Sequence, residues 1–201
     1  MQTNVLGDRA VAVGVGALGT QNQATRIDTY NVGLGYSAGN AVTTGQSNTL
    51  IGGNAGDALT DSDFNTAVGM GALSSDTLGA ESTAIGYLAL NAANSTTATN
   101  AYNTAVGSRA GAAVTTGVQN TIVGALAADA LTTGDSNTFI GYFSAGNGVV
   151  TGDTNTGVGV SAGLAITSGS NNLCLGKDSG RTGSPGGNLT THSNNVVLGD
   201  E

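Results

Sequence analysis

The stretch Ser47-Asn48-Thr49-Leu50-Ile51-Gly52 is one of eleven versions of a single pattern, Asn-Thr-x-Val-Gly, that runs through the 201-residue chain. The pattern closes at Gly14, Gly35, Gly52, Gly69, Gly86, Gly107, Gly124, Gly141, Gly159, Gly176 and Gly199. Six of the ten spacings between these glycines are 17 residues, and the others are 18, 21, 21 and 23. A near-constant period of this size is the mark of a solenoid, and it is too short for two-helix repeats of about 34 residues. The expected fold is all-β: a parallel β-solenoid (β-roll or β-helix) of about eleven coils of roughly 17 residues, forming one repetitive domain over 1–201. Longer spacings place loop insertions at 19–29, 91–100 and 177–194.

Each column of the alignment carries a physical requirement. The residue before the closing glycine is aliphatic in every copy, from Val13 to Leu198, and two residues earlier the column is Thr seven times. Positions two apart in a strand share a face, and β-branched side chains suit it. The column between them is Ala12, Gly33, Leu50, Ala67, Ala84, Ala105, Ile122, Phe139, Gly157, Cys174 and Val197, with no charged or strongly polar member. A strand with one solvated face alternates apolar and polar residues. This one does not, so both faces are expected to be buried. We expect the threonine and aliphatic columns to fill the coil interior. The middle column, through Ala12, Leu50, Ala67, Ala84, Ala105, Ile122, Phe139, Cys174 and Val197, is then expected to form a seam with sister chains in a homo-oligomer.

The remaining columns are equally regular. Three residues after the glycine stands a small residue, Ala17 through Ser179, as a thin interior requires. Three residues before the Asn column, Gly45, Gly79, Gly117, Gly134, Gly152 and Gly169 suggest a left-handed turn position, shared by Asp28, Ser62, Asn100 and His192. Nine of eleven copies carry Asn at the head of the strand. Its amides either ladder from coil to coil, as in cross-β stacks, or serve only the local turn.

Composition excludes several classes of function. Aromatics are 4% and charged residues 9%, with 34 Gly, one Pro and no Trp. Collagen is excluded because Gly does not fall at every third position. A net charge of −8 with no basic window argues against nucleic acid and anionic membranes, and no apolar run is long enough for membrane insertion. Gln2-Thr3-Asn4 after Met1 does not read as a signal peptide.

The pattern resembles the repeats of trimeric autotransporter adhesin heads, and more closely the Asn-Thr-Ala-Val-Gly arrays of phage tail fibres. Ser193-Asn194-Asn195-Val196-Val197-Leu198-Gly199-Asp200-Glu201 resembles the join between a fibre shaft and an endosialidase-type intramolecular chaperone. The resemblance covers nearly the whole chain and is more specific for architecture than for biology. It implies a homotrimer on a virion tail fibre or otherwise outside the cell, truncated before the chaperone. The chain would serve as shaft and candidate receptor-binding surface for host carbohydrate or protein. A bacterial adhesin head is the rival within this class, and an ice-binding solenoid with a threonine ladder is the alternative from another.

Chemistry is sparse. Gly14-Val15-Gly16-Ala17-Leu18-Gly19 matches a dinucleotide fingerprint, but its glycines belong to repeat columns and no amphipathic helix follows. Asp57, Asp61 and Asp63 form the densest acidic cluster, which could serve calcium or a hydrolytic carboxylate pair, yet Asp63 shares a turn column with Asp135 and Asp153. His192 reads as an exposed turn residue and Cys174 as a packed thiol. Tyr30, Tyr36, Tyr87, Tyr102, Tyr142 and Phe143 are the aromatics that could matter at a surface, where packing is favoured over contact with sugars. The expectation is no catalysis, no cofactor and no metal.

Overall fold

The column headed by asparagine in nine copies, and by Ala10 and Ser82 in the other two, marks where extended backbone begins, and a three-residue strand follows in all eleven. The computed structural model describes residues 7–146, 148–181 and 189–199. The chain divides into two compact units, Met1–Tyr102 and Asn103–Glu201. The first contains β1 (Gly7–Asp8), β2 (Val11–Val13), β3 (Ile27–Asp28), β4 (Val32–Leu34), β5 (Thr49–Ile51), β6 (Thr66–Val68), β7 (Gly79–Ala80), β8 (Thr83–Ile85) and β9 (Thr99–Asn100). The second contains β10 (Thr104–Val106), β11 (Thr121–Val123), β12 (Thr138–Ile140), β13 (Thr156–Val158), β14 (Leu173–Leu175) and β15 (Val196–Leu198). Among the described residues there is no helix, and the fold is a parallel β-solenoid of about ten turns.

Register follows the repeat. In the first unit Val32 pairs Thr49, Leu50 pairs Ala67 and Val68 pairs Ile85, and in the second Thr104 pairs Thr121 and Phe139 pairs Gly157. Like therefore stacks on like, a parallel ladder whose rungs are repeat columns. Two of the loop insertions also contribute short parallel pairs, β1 with β3 and β7 with β9. Gln21 and Gln23 in the first insertion are buried, and the Gln21 amide donates to Thr29 Oγ1 at 2.9 Å. Of the third insertion, 182–188 lie outside the described residues.

The closing glycines are held at φ near +130°, for example +130° at Gly52 and +136° at Gly159, where side chains are rarely found. A Cβ at Gly52 would also stand 2.6 Å from the carbonyl of Gly69 in the next coil. Both constraints recur at Gly14, Gly35, Gly69, Gly107, Gly124, Gly141 and Gly159, and they ease in the last copies, where Gly176 stands at +106° and Gly199 at +73° with nothing within 4 Å of an added Cβ.

The core corrects one expectation. Leu50, Ala67, Ala84, Ala105, Ile122, Phe139 and Cys174 are all 0% exposed within the single chain, and Val197 is 5% exposed. Ala12, at the first strand, is half-buried. The middle column therefore fills the coil's own interior and is not a seam between chains. The physical reason is hydroxyl burial: an inward Thr would need an internal acceptor, whereas the middle column has no hydroxyl in any copy. The small column, from Ala17 to Ser179, is fully buried as expected. An opposite wall completes the interior with Val42, Leu59, Val114, Leu131, Val150 and Ile166.

Volumes compensate between levels. Leu50 lies against Gly39 and Gly56, where an added Cβ would come within 2.6 and 2.7 Å of its methyl groups. Gly33 leaves room for Leu18, and Gly157 for the ring of Phe139. A large residue in one column meets glycine in another, which keeps the thin core close-packed.

Candidate functional site

With the middle column inside, the threonine and aliphatic columns turn outward together. Val13 is 55% exposed, Leu34 43%, Ile140 38% and Leu198 70%, while Thr49, Thr66, Thr83, Thr104, Thr138 and Thr156 are half-buried and Thr121 is exposed. The column after the closing glycine adds exposed Tyr36, Met70, Tyr87 and Tyr142. Each unit thus presents a parallel sheet face of Thr and aliphatic rows. None of the threonine or aliphatic column positions carries a charge.

Behind this face the coils are joined by side-chain ladders. In the second unit, Asn120 Nδ2 donates to the carbonyl of Gly134 at 3.0 Å, and its Oδ1 accepts the backbone N–H of Asn137 at 2.9 Å. Asn103, Asn137, Asn155 and Asn172 repeat both bonds one coil further on. In the first unit Asn31, Asn48 and Asn65 do the same. The asparagine column is therefore a ladder joining coils, beyond its service to the local turn.

The turn glycines serve this ladder by a route other than the expected one. Gly45, Gly79, Gly117, Gly134, Gly152 and Gly169 do not have positive φ. They are small because the neighbouring turn approaches closely: a Cβ at Gly117 would lie 2.5 Å from the Gly134 carbonyl oxygen. A left-handed position lies instead just before the Asn column, at Tyr30, Ser47, Phe64, Tyr102 and Gln119, and at Glu81 where Ser82 replaces the Asn. Such a mixture of side chains carries no signal of the conformation.

Two further ladders were not foreseen. Thr43, Thr60, Thr77, Thr115, Thr132 and Thr167 each donate a hydroxyl to a carbonyl in the next coil, at 2.6–3.3 Å. Asp63, Asp135 and Asp153 accept backbone N–H groups of the preceding coil, from Gln46, Val118 and Asp135 at 2.6–2.8 Å. The Thr-Thr-Gly segments were visible in the sequence, but a hydroxyl ladder cannot be told from ordinary turn chemistry there.

The residues considered for chemistry are dispersed. Thr44 Oγ1 bonds Asp61, and Asp63 is engaged in its ladder. Asp57 has a buried oxygen with no hydrogen-bond partner, and burial pushes its carboxyl above the usual range against a lowering backbone bond. Asp129, in the same repeat column, is raised likewise by burial, with Arg109 at 3.8 Å and a backbone bond opposing. Cys174 is a free, buried thiol pushed up to about 11 by burial, so it is protonated at neutral pH. His192 is exposed, and its carbonyl accepts the Asn172 amide at 2.8 Å. Among the described residues no group of three His, Cys, Asp or Glu side chains is arranged to hold a metal ion, and no helix is long and apolar enough to cross a membrane. The aromatics fall into two rows, Tyr36, Tyr87 and Tyr142 after the closing glycine and Tyr30, Phe64 and Tyr102 before the Asn, all exposed. Phe143 is half-buried, its ring centroid 6.1 Å from that of Tyr142. The arrangement offers repeated rows for contact with a surface. No family model, curated protein or solved structure matches the chain.

Proposed function

We propose that the chain is a structural and adhesive segment of a homotrimeric viral tail fibre, acting as shaft and as a surface for host carbohydrate or protein. Its work is mechanical and multivalent. The observation that supports this reading best is the repetition of ladders within each unit, where the Asn, Thr and Asp columns join one coil to the next. The Asn, Thr and Asp side chains of these columns are engaged in coil-to-coil bonds. Three copies would display each exposed tyrosine row three times, so that weak contacts add through effective concentration. The test is mass in solution: light scattering should give three times the 19.4 kDa chain mass, and a monomer over the micromolar range would end the reading.

The outward threonines favour a second reading, an ice-binding face. Rows spaced by the ~4.8 Å strand repeat are a regular lattice of hydroxyl and methyl groups. The uneven row after the glycine, Tyr36, Gly53, Met70, Tyr87 and Ser108, weighs against a flat contact with a crystal. Thermal hysteresis in dilute solution would support this alternative, and freezing-point depression no greater than that of a control protein would remove it.

A further inference from the structure

We infer that the outward threonine and aliphatic face, and not the middle column, is the surface on which copies of this chain meet. The inference rests on the fibre reading and adds to it which residues form the contact. Three observations carry it. The first is charge. The chain has 5 Lys and Arg and 13 Asp and Glu, yet the outward Thr and aliphatic columns hold none of them over eleven levels. With 9% charged residues in the chain, about two of these 22 positions would carry charge and none does; a net charge of −8 makes charge-free surface the place where copies repel least.

The second is exposed apolar area. Side chains such as Leu34, Ile85, Ile140, Val158 and Leu175 are 37–43% exposed in a single chain. A strip of three or four residues across five or six strands is about 250–400 Å² per unit at ordinary strand spacings. That is the range of the largest apolar patch on a typical monomer, which is often functional, and up to about half of the roughly 800 Å² per partner of a standard interface. The third is period. Identical rows recur at each strand step, as the pairings of Thr121 with Thr138 and Ile140 with Val158 require. A second copy presents rows at the same step, so every level can pack on an equivalent level without a change of register. The occupant is therefore another copy of this chain.

The test compares the mass of the full chain with that of two double variants by light scattering, with circular dichroism to check the fold. Ile140→Lys with Val158→Lys places charge in the face, and it is expected to lower the mass threefold to the monomer while the β-spectrum is kept. Thr116→Lys with Thr133→Lys, at exposed positions on another side of the coil, is expected to leave the mass unchanged. In case the lysines unfold the chain, Ile140→Thr keeps a β-branched side chain and is expected to raise the dissociation constant at least tenfold on dilution. If the wild type is trimeric and Ile140→Thr dissociates no more readily than it, the assignment of the face is wrong and the fibre reading stands. A monomeric wild type overturns both.

Discussion

Asn120 binds three coils with one side chain. Its amide nitrogen reaches the Gly134 carbonyl and also Asn103 Oδ1, at 3.0 and 3.2 Å, and its oxygen takes the Asn137 N–H. All of these groups lie in buried surroundings, where an unmade bond costs more than a made one contributes. Asn120→Ala leaves a buried carbonyl and a buried N–H without partners, and we expect a loss of about 2–3 kcal/mol, read from urea unfolding. Asp57 should behave in the opposite sense. Burial raises its carboxyl in the fold, so the folded chain holds a proton that the unfolded chain releases. Stability is then greatest below the unfolded value, falls as pH rises through the window up to the folded value, and stays lower beyond it. Asn40, in the same column, donates its amide to the Gly16 carbonyl at 2.9 Å, which shows what a neutral amide can do there. Asp57→Asn should therefore raise the melting temperature at pH 7 by a few degrees at most, since partial exposure screens the charge. The gain should vanish near pH 3, and a gain that persists there would contradict the burial argument.

At the scale of the strand, Leu50 shows how the interior is filled. It is 0% exposed and fits beside two glycines that leave space for its methyl groups. Leu50→Ala should cost about 2–5 kcal/mol, because Gly39 and Gly56 have no side chains with which to collapse into the cavity. Thr66→Ala on the outward face of the next strand should change monomer stability by about 0.5 kcal/mol or less. Comparing the two by denaturant unfolding checks which column is inside. The sequence made the strands legible because closing glycine, aliphatic and Asn columns recur at fixed offsets, and each satisfies a constraint the structure bears out. It did not make the facing legible on apolar character alone, since both faces are apolar. The deciding signal is the seven hydroxyls in one column and none in the other, since a buried hydroxyl needs an internal partner. The left-handed position stayed hidden because Tyr, Ser, Phe, Glu and Gln share it. The opposite wall was hidden too, because Gln21 and Asp76 interrupt it as polar but satisfied members: Asp76 Oδ1 accepts the N–H groups of Gly79 and Ser95 at 3.0 and 2.9 Å.

For the molecule as a whole, the consequence of such regularity is that a coil within a unit is interchangeable with its neighbour. Stability in a stack of this kind is close to a sum of coil terms and nearest-neighbour terms. The second unit offers a direct test, because Gly107 to Gly124 and Gly124 to Gly141 are both 17 residues. Deleting residues 108–124 joins Gly107 to Ala125 and brings β10 beside β12, with Asn103 facing the Asn137 N–H and Ala105 beneath Phe139. Every ladder is restored one rung shorter. The shortened chain should keep its β-spectrum and melt within about 5 °C of the parent, one coil's contribution being a small part of the whole. Deleting only residues 108–115 removes about half a coil. It brings unlike columns into line, turns inward residues out and leaves the Asn103 amide without its turn carbonyl, so this shorter deletion should unfold the second unit. A larger loss from removing seventeen residues than from removing eight would mean that the stack is held by something other than its column-by-column register.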